Sequence, residues 1–315
     1  MKVKILIENT YNQEKRDEQA EIMNKQPELI SEHGLSMLIE YNNRKILLDA
    51  GSTSAFMDNA KLMGVDIEAD FCVLSHGHYD HSGGFAEYLS KHPEKKVYAM
   101  KEIVDDYYSG SGGSIHPIGV PKNVYPAYKD NFVLLEGSTK LDDGIYIVAH
   151  NNTDNNTNGN NDISKNIENV DKSNDYAKIG ERGKLYKKLD DRYVPDDFGH
   201  ELSLVFDTEK GLVIFNSCSH VGVINIINEI KEYFGEEKKI RAFVGGLHMK
   251  GKNGNEEICT FSENEIREMV KCLEDNHVEK LYTGHCTGVV GYELIKKYMG
   301  DSVEYISTGK EIDLK

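Results

Sequence analysis

The sequence lacks long apolar runs, paired cysteines and an excess of positive charge. No window reaches the roughly 18 apolar residues of a membrane-spanning helix, and residues 1–10 run directly into polar sequence rather than into the apolar core of a signal peptide. The five cysteines are an odd number and are scattered without a disulfide framework. We therefore expect a reduced, cytoplasmic protein with no membrane partner.

The charge balance restricts the class of partner. The chain has 37 basic and 53 acidic residues, a formal net charge of −16. Nucleic-acid binders need clustered basic side chains against phosphate, so we expect no nucleic-acid partner. A small, phosphorylated substrate remains compatible, because a bound metal would neutralise its charge. The sequence does not indicate an oligomeric state.

Apolar periodicity predicts an α/β protein. Three amphipathic segments, residues 53–64, 221–235 and 262–276, predict helices, the last with a capping-box pattern at Ser262 and Glu265. Strand–helix–strand units in both halves favour two layers of sheet with helices on the outer faces. Strands are predicted at residues 3–7, 35–40, 45–49, 71–75, 96–99, 145–148, 202–207, 212–216, 240–244 and 280–282.

One polar segment interrupts this pattern. Residues 151–191 begin with an Asn-rich run and show almost no apolar periodicity, which predicts a surface insertion within a single domain of residues 1–315. The alternative is a flap over an active site, to which Tyr176, Tyr186 or Tyr193 contributes.

A cluster of potential metal ligands follows the predicted strand at residues 71–75. His76 and His78 are two positions apart in extended chain, so their imidazoles point the same way. Asp80 and His81 follow where the chain turns. Two adjacent pairs of nitrogen and oxygen ligands suit two divalent metals that together activate one water.

This segment resembles a known family. The pattern His76-x-His78-x-Asp80-His81, with the upstream ILLDAG, is similar to the motifs of the metallo-β-lactamase superfamily. The resemblance implies an αββα sandwich of two mixed sheets, with two metals at one edge between them. SHGHYDHSGG, NSCSHVGVINII, VGGLH and TGHCTG together resemble the branch named for the methanopterin-pathway synthase that joins a dihydropterin to a ribofuranosyl-aminobenzene phosphate.

The resemblance implies a ligand set. It assigns His76, His78 and His200 to the first metal, and Asp80, His81 and His285 to the second, with Cys218 near both or on the second. Two points stay open. His220 is an alternative ligand to Cys218, and His150 is an alternative to His200.

Three further roles are expected at the site. Asp80 orients the nucleophile as well as binding metal, and His248 donates a proton to the leaving group or binds a substrate phosphate. The alternative for His248 is a histidine hydrogen-bonded at a strand end. Asp49 accepts the free N–H of a metal-bound imidazole and fixes its tautomer, or is simply a turn residue.

Together these features predict a metal-dependent hydrolase. Two divalent ions, zinc first and manganese or iron as alternatives, activate water against an ester or phosphodiester-type small molecule. The alternatives are a transferase of the synthase type, a di-iron redox enzyme, and a binding or sensing protein with a structural metal.

Overall fold

Two seven-stranded sheets form the centre of the computed structural model, which describes residues 1–10, 28–150 and 184–314. The strands of the two large sheets are β1 (Lys2–Ile7), β2 (Ser36–Tyr41), β3 (Arg44–Leu48), β4 (Phe71–Val73), β5 (Val97–Met100), β8 (Phe132–Leu135), β9 (Thr139–Asp142), β10 (Ile145–Ala149), β13 (Leu202–Thr208), β14 (Gly211–Phe215), β15 (Ile240–Gly245), β18 (Lys280–Thr283), β19 (Val303–Tyr305) and β20 (Glu311–Asp313). Two small sheets contain β6 (Tyr107–Ser109), β7 (His116–Pro117), β11 (Leu185–Leu189), β12 (Arg192–Pro195), β16 (Lys250–Asn253) and β17 (Glu256–Cys259).

Six helices accompany the sheets in the described ranges. They are α1 (Ala55–Leu62), α2 (Tyr79–Ser82), α3 (Phe85–Lys91), α4 (Val223–Phe234), α5 (Glu263–Asp275) and α6 (Gly288–Met299). Short 3-10 turns lie at Lys101–Val104, Ser111–Gly113, Lys129–Asn131, His285–Thr287 and Gly300–Ser302. The predicted capping box is confirmed: the Glu265 amide donates to Ser262 Oγ, and the Ser262 amide donates back to the Glu265 carboxylate.

Each large sheet is mixed. The first has the order β20-β1-β2-β3-β4-β5-β8 and the second β19-β18-β15-β14-β13-β10-β9. The strands from β3 to β8 in the first sheet and from β14 to β19 in the second run parallel, whereas the remaining pairs are antiparallel. Parallel strands expose their carboxyl ends at one edge, where ligand sites form.

The core lies in three apolar layers. In β14, Val213 and Phe215 pack between the two sheets, while Leu212 and Ile214 face α4 and α5 on the outside. In β3, Leu47 faces α1 and α3, on the outer side of the first sheet. Both faces of each sheet are therefore buried, which explains the nearly continuous apolar strands. This arrangement confirms the predicted αββα sandwich.

All ten predicted strands are present, with ends that differ by one or two residues. The strands missed by the sequence analysis are mostly short or half exposed, such as β6, β11 and β12. Among the described residues, no helix is long and apolar enough to cross a membrane. All five cysteines are free thiols.

The predicted insertion is described only at its carboxyl end. Residues 151–183, which include Tyr176, lie outside the described residues. β11 and β12 form an antiparallel hairpin, and β11 pairs with β6. Tyr193 on this hairpin packs edge-on against Tyr108, with ring centroids 4.9 Å apart. The flap therefore stays a prediction.

Candidate metal centre

Histidines converge where the parallel strands of both sheets end. Because the pairs β3–β4 and β14–β15–β18 are parallel, their carboxyl ends bring residues distant in sequence to one edge. The side chains that follow these strand ends are Asp49 after β3, His76 after β4, Cys218 and His220 after β14, His248 after β15 and His285 after β18.

The first ligand group consists of His76, His78 and His220. One ring nitrogen of each lies within 4.8 Å of the others, and His76 Nε2 is 3.3 Å from His220 Nε2. His78 Nε2 is buried without a hydrogen-bond partner among the described residues. Burial, with the neighbouring His200 as another cause, lowers the pKa of His78 to about 3. Neutral imidazoles with an unused lone pair are suited to bind a cation.

Asp49 fixes the tautomers of two histidines. Ser75 Oγ donates to Asp49 Oδ2 over 2.7 Å, so this hydroxyl accepts from His76 Nδ1, 2.8 Å away. His81 Nδ1 donates directly to Asp49 Oδ2 over 2.7 Å. Nδ1 therefore carries a proton in both rings, and Nε2 is the nitrogen left to take a further proton or a cation. The contact expected for Asp49 is present, and it holds both imidazoles ready to act as ligands.

The second ligand group contains Asp80, His81 and His285. His285 Nδ1 donates to Asn9 Oδ1 over 3.0 Å, so its Nε2 is likewise left to take a further proton or a cation, and that atom lies 3.1 Å from His81 Nε2. Two lone pairs at this distance repel unless a proton or cation lies between them. Asp80 Oδ2 is 3.6 Å from His81 Nε2 and 3.5 Å from His285 Nε2.

These separations fit a divalent metal. A tetrahedral ion with bonds of about 2.0–2.1 Å places its ligand atoms about 3.3 Å apart. The separations between His76 and His220 and among Asp80, His81 and His285 run from 3.1 Å to 3.6 Å, which brackets that value. The nitrogen and carboxylate donors are also those that zinc, manganese and iron accept. The residues present therefore fit such ions.

The second group attracts positive charge. Burial alone would lower the pKa of His81, but the carboxylates of Asp80 and Asp49 raise it to about 9. The pKa of Asp80 is lowered despite its burial, because His81 and His285 lie against it. With a pKa of about 9, His81 carries an extra ring proton at neutral pH. A cation bound between Asp80, His81 and His285 would offset the same negative charge as that proton.

Cys218 lies between the two groups. Its Sγ is 3.3 Å from His81 Nε2, and it forms a ligand-competent set with His76 and His81. It also belongs to a set with His285 and Cys286. The thiol therefore lies within reach of ligand atoms of both groups, and its role as a ligand stays a prediction.

His200 and His150 differ in their surroundings. One ligand atom each from His78, Asp196 and His200 lies within 4.8 Å of the others, so His200 belongs to a further set of possible ligands. His200 Nδ1 accepts from the Gly77 amide over 2.9 Å, and its Nε2 is 3.0 Å from Asp196 Oδ2, so both ring nitrogens have protein partners. His200 still lies near His78, with ring centroids 5.2 Å apart. His150 forms contacts with Glu229 and Ser203 instead, and it is in none of the ligand groups found among the described residues.

His248 lies beside the first group. Its ring centroid is 4.4 Å from that of His220, and its Nδ1 is buried with no hydrogen-bond partner in the described part of the chain. His248 has a φ of 48°, and Asp49, Ser219 and His285 also have positive φ. Such strained residues cost on the order of 1 kcal/mol or more each and cluster at functional sites.

A family comparison agrees with this geometry. The sequence profile of the metallo-beta-lactamase superfamily matches residues 31–212. The chain belongs to this superfamily. The family resemblance seen in the motifs is thereby confirmed.

The chain also has relatives that match most of its length. It is 27% identical over 296 residues to the 7,8-dihydropterin-6-methyl-4-(beta-D-ribofuranosyl)-aminobenzene-5'-phosphate synthase of Methanocaldococcus jannaschii, with 90% of each protein covered. An uncharacterized protein of the same organism is 28% identical over 258 residues, covering 80% of this chain and 81% of that protein. The crystal structure of a metal-dependent hydrolase of the beta-lactamase superfamily is similar, with a TM-score of 0.73, 25% identity and coverage of 100% of this chain and 99% of that one.

Several residues at this metallo-beta-lactamase site were missed by the sequence analysis. Glu201 is buried, and its carboxylate accepts the amides of His220 and Val221 over 2.9 Å and 3.0 Å. Asn9 orients His285, and His33 Nε2 lies 3.3 Å from Asp80 Oδ2. None of these three has a ligand-type spacing to the cluster at residues 76–81, so the sequence contains no local signal for them.

Proposed function

We propose that this protein is a metal-dependent hydrolase with a dinuclear centre, acting on a small molecule with an ester or phosphodiester bond. The observation that carries the proposal is the facing of histidine Nε2 atoms, above all those of His81 and His285 at 3.1 Å, a distance that requires a proton or a cation between them. In this proposal His76, His78 and His220 hold the first ion, and Asp80, His81 and His285 hold the second. Cys218 lies between the two ligand groups and would be within reach of either ion.

When bound, such ions would lower the pKa of a water at the site from about 15.7 to about 7. The protein side chains prepare for it. Asp49 fixes the Nδ1 proton of His76 through Ser75 and that of His81 directly, so that Nε2 of each ring is the atom available to an ion. Asp80 orients the nucleophile. In this proposal His248 hands a proton to the leaving group, a role supported by its unpartnered, buried Nδ1 and by its position beside His220.

The metal, the cellular location and the substrate class are proposed from the ligand types and the charge of the chain. Imidazole, carboxylate and thiolate together suit zinc first, with manganese or iron as alternatives. The free thiols at the site, Cys218 and Cys286, are compatible with the cytoplasm as the predicted location. We propose a small-molecule substrate, because the charge of −16 opposes phosphate-rich polymers.

One comparison favours a second candidate function. The synthase of M. jannaschii is related along 90% of this chain, and its name describes the joining of a pterin to an aminobenzene ribose phosphate. In that reaction class the ions held by the same residues would bind a substrate phosphate. An amine or carbon nucleophile would replace water, and the bond between the pterin partner and its leaving group would break as the new bond forms.

Elemental analysis of protein purified without added metal, followed by assays on the same preparation, tests the proposal. We expect about two ions per chain and turnover of bis(p-nitrophenyl) phosphate or p-nitrophenyl acetate without reductant. Asp80→Asn is the control that separates this activity from a contaminant. Condensation of the pterin and aminobenzene partners, with no hydrolysis, would favour the synthase. A preparation without metal and without either activity would contradict both candidates.

A further inference from the structure

His33 lies at the open side of the second ligand group and belongs to none of the family motifs found in the sequence. Its Nε2 is 3.3 Å from Asp80 Oδ2, and its ring stacks on that of His285 with centroids 5.4 Å apart. One ligand atom each from His33, Asp80 and His285 lies within 4.8 Å of the others. The side chain of His33 is 58% exposed, whereas that of Asp80 is 10% exposed.

The loop that carries His33 is anchored on both sides. On one side, the Glu32 carboxylate accepts the amides of Ser52 and Thr53, each over 3.0 Å, and the Thr53 hydroxyl over 2.7 Å. Ser52 Oγ also donates to the His33 carbonyl. These contacts hold the backbone of His33 against the turn after β3.

On the other side, the loop shares a partner with the second group. The Gly34 amide donates to Asn9 Oδ1 over 3.2 Å, and this is the oxygen that accepts from His285 Nδ1. A Cβ at Gly34 would come within 2.6 Å of the Asp80 carbonyl, so the close approach of the loop requires glycine. The position of His33 is therefore built into the fold.

We infer that His33 is an additional protein ligand of the second ion, on its solvent side. This inference rests on the dinuclear centre of the proposed function and adds a ligand that the motifs do not contain. The 3.3 Å between His33 Nε2 and Asp80 Oδ2 equals the spacing expected for two atoms on one tetrahedral ion. A catalytic site keeps one position exchangeable, and the exposed His33 is the ligand that an anionic substrate oxygen would displace.

Metal titration tests the inference independently of activity. We would measure zinc stoichiometry and both dissociation constants by chelator competition for the wild type, His33→Ala and the control His116→Ala, an exposed histidine whose Nδ1 is near the Ser114 carbonyl. His33→Ala should raise the second dissociation constant by about 10–100-fold, at least the loss seen when an outer partner of a ligand is removed. The first constant, and both constants of the control, should be unchanged.

Cadmium-113 NMR reports the donor atoms themselves. We expect the resonance of the second ion to shift in His33→Ala and to shift differently in His33→Glu, which restores a donor of similar reach. Unchanged second-ion affinity and resonance, with two ions still bound, would overturn the role of His33 and leave the hydrolase proposal intact. Equal weakening of both ions in His33→Ala would also overturn it, because it would indicate a structural role. A wild type that binds no ion would instead defeat the proposed function.

Discussion

The two ligand groups lie side by side but differ in charge. The first consists of three buried imidazoles, from His76, His78 and His220, and burial keeps them neutral. The second adds the carboxylate of Asp80 to His81 and His285, and Asp80 together with Asp49 raises the pKa of His81 to about 9. An all-imidazole group selects a borderline metal such as zinc by geometry, whereas a carboxylate group attracts any divalent cation by charge. We therefore expect the two ions to respond differently to the loss of one ligand.

Removing the charge of Asp80 should have the largest effect. Asp80→Asn keeps the shape but removes the carboxylate that lies 3.6 Å and 3.5 Å from the facing Nε2 atoms of His81 and His285. We expect loss of the second ion and a fall in kcat/KM of more than about 100-fold, because the removal of mere outer partners already costs 10–100-fold. Ion content and steady-state kinetics measure this, with circular dichroism as the control for folding. If both ions and the activity were retained, the charge of Asp80 would not be what holds an ion in the second group.

A paired substitution should separate His220 from His200. His220→Ala removes an imidazole that faces His76 Nε2 at 3.3 Å, so the first ion should be lost and activity should fall by more than about 100-fold. His200→Ala removes a ring whose nitrogens contact Gly77 and Asp196, so both ions should remain bound, with at most about a 10–100-fold loss of activity. Elemental analysis of both variants decides. The reverse result would return His200 to the ligand set.

This pair also shows why part of the site could not be predicted from sequence. His76 to His81 are local, so strand and turn geometry alone predicted their convergence. His200 precedes β13 and His220 follows β14, and these strands form an antiparallel hairpin. Both ends of a hairpin lie at the same edge of a sheet, so spacing cannot tell which imidazole points inward. The choice depends on tertiary contacts, such as the stacking of His220 on Phe198 with centroids 5.0 Å apart.

The strands, like the ligands, could be predicted where their sequence signal is local. The ten predicted strands are apolar on both faces because each large sheet is buried on both sides, and this signal is local. β6 and β11 lack it, since each has half-buried polar or aromatic positions, and they pair across a long stretch of chain. The contact of His33 with Asp80 likewise depends on how a loop packs, which no periodicity records.

Asp49→Asn should have an intermediate effect on both groups. Asn tolerates the positive φ of 59° at this position, so the backbone is retained. However, an amide can offer N–H where His81 Nδ1 needs an acceptor, which disfavours the tautomer that binds metal. We expect each ion to be held about 10–100-fold more weakly, measured by chelator competition. Ser75→Ala is the matched control, because it breaks only the link to His76; an effect of Asp49→Asn on one ion alone would mean that Asp49 does not couple the groups.

The smallest effect on the metal centre is expected for substitution of His150. This substitution tests whether a buried histidine with a structural role can be told apart from the histidines of the two ligand groups. His150 Nδ1 and Nε2 are each 2.7 Å from an oxygen, of Glu229 and Ser203 respectively. His150→Gln should lower the free energy of unfolding by about 1–3 kcal/mol, the cost of leaving buried polar groups unpaired, while both ions stay bound. Urea denaturation and elemental analysis on one preparation measure the two quantities. Loss of an ion without loss of stability would place His150 in the ligand set. The ring is already held by two protein oxygens, so it would have to exchange one of them for metal. Structural and metal-binding histidines could then not be distinguished by their protein partners.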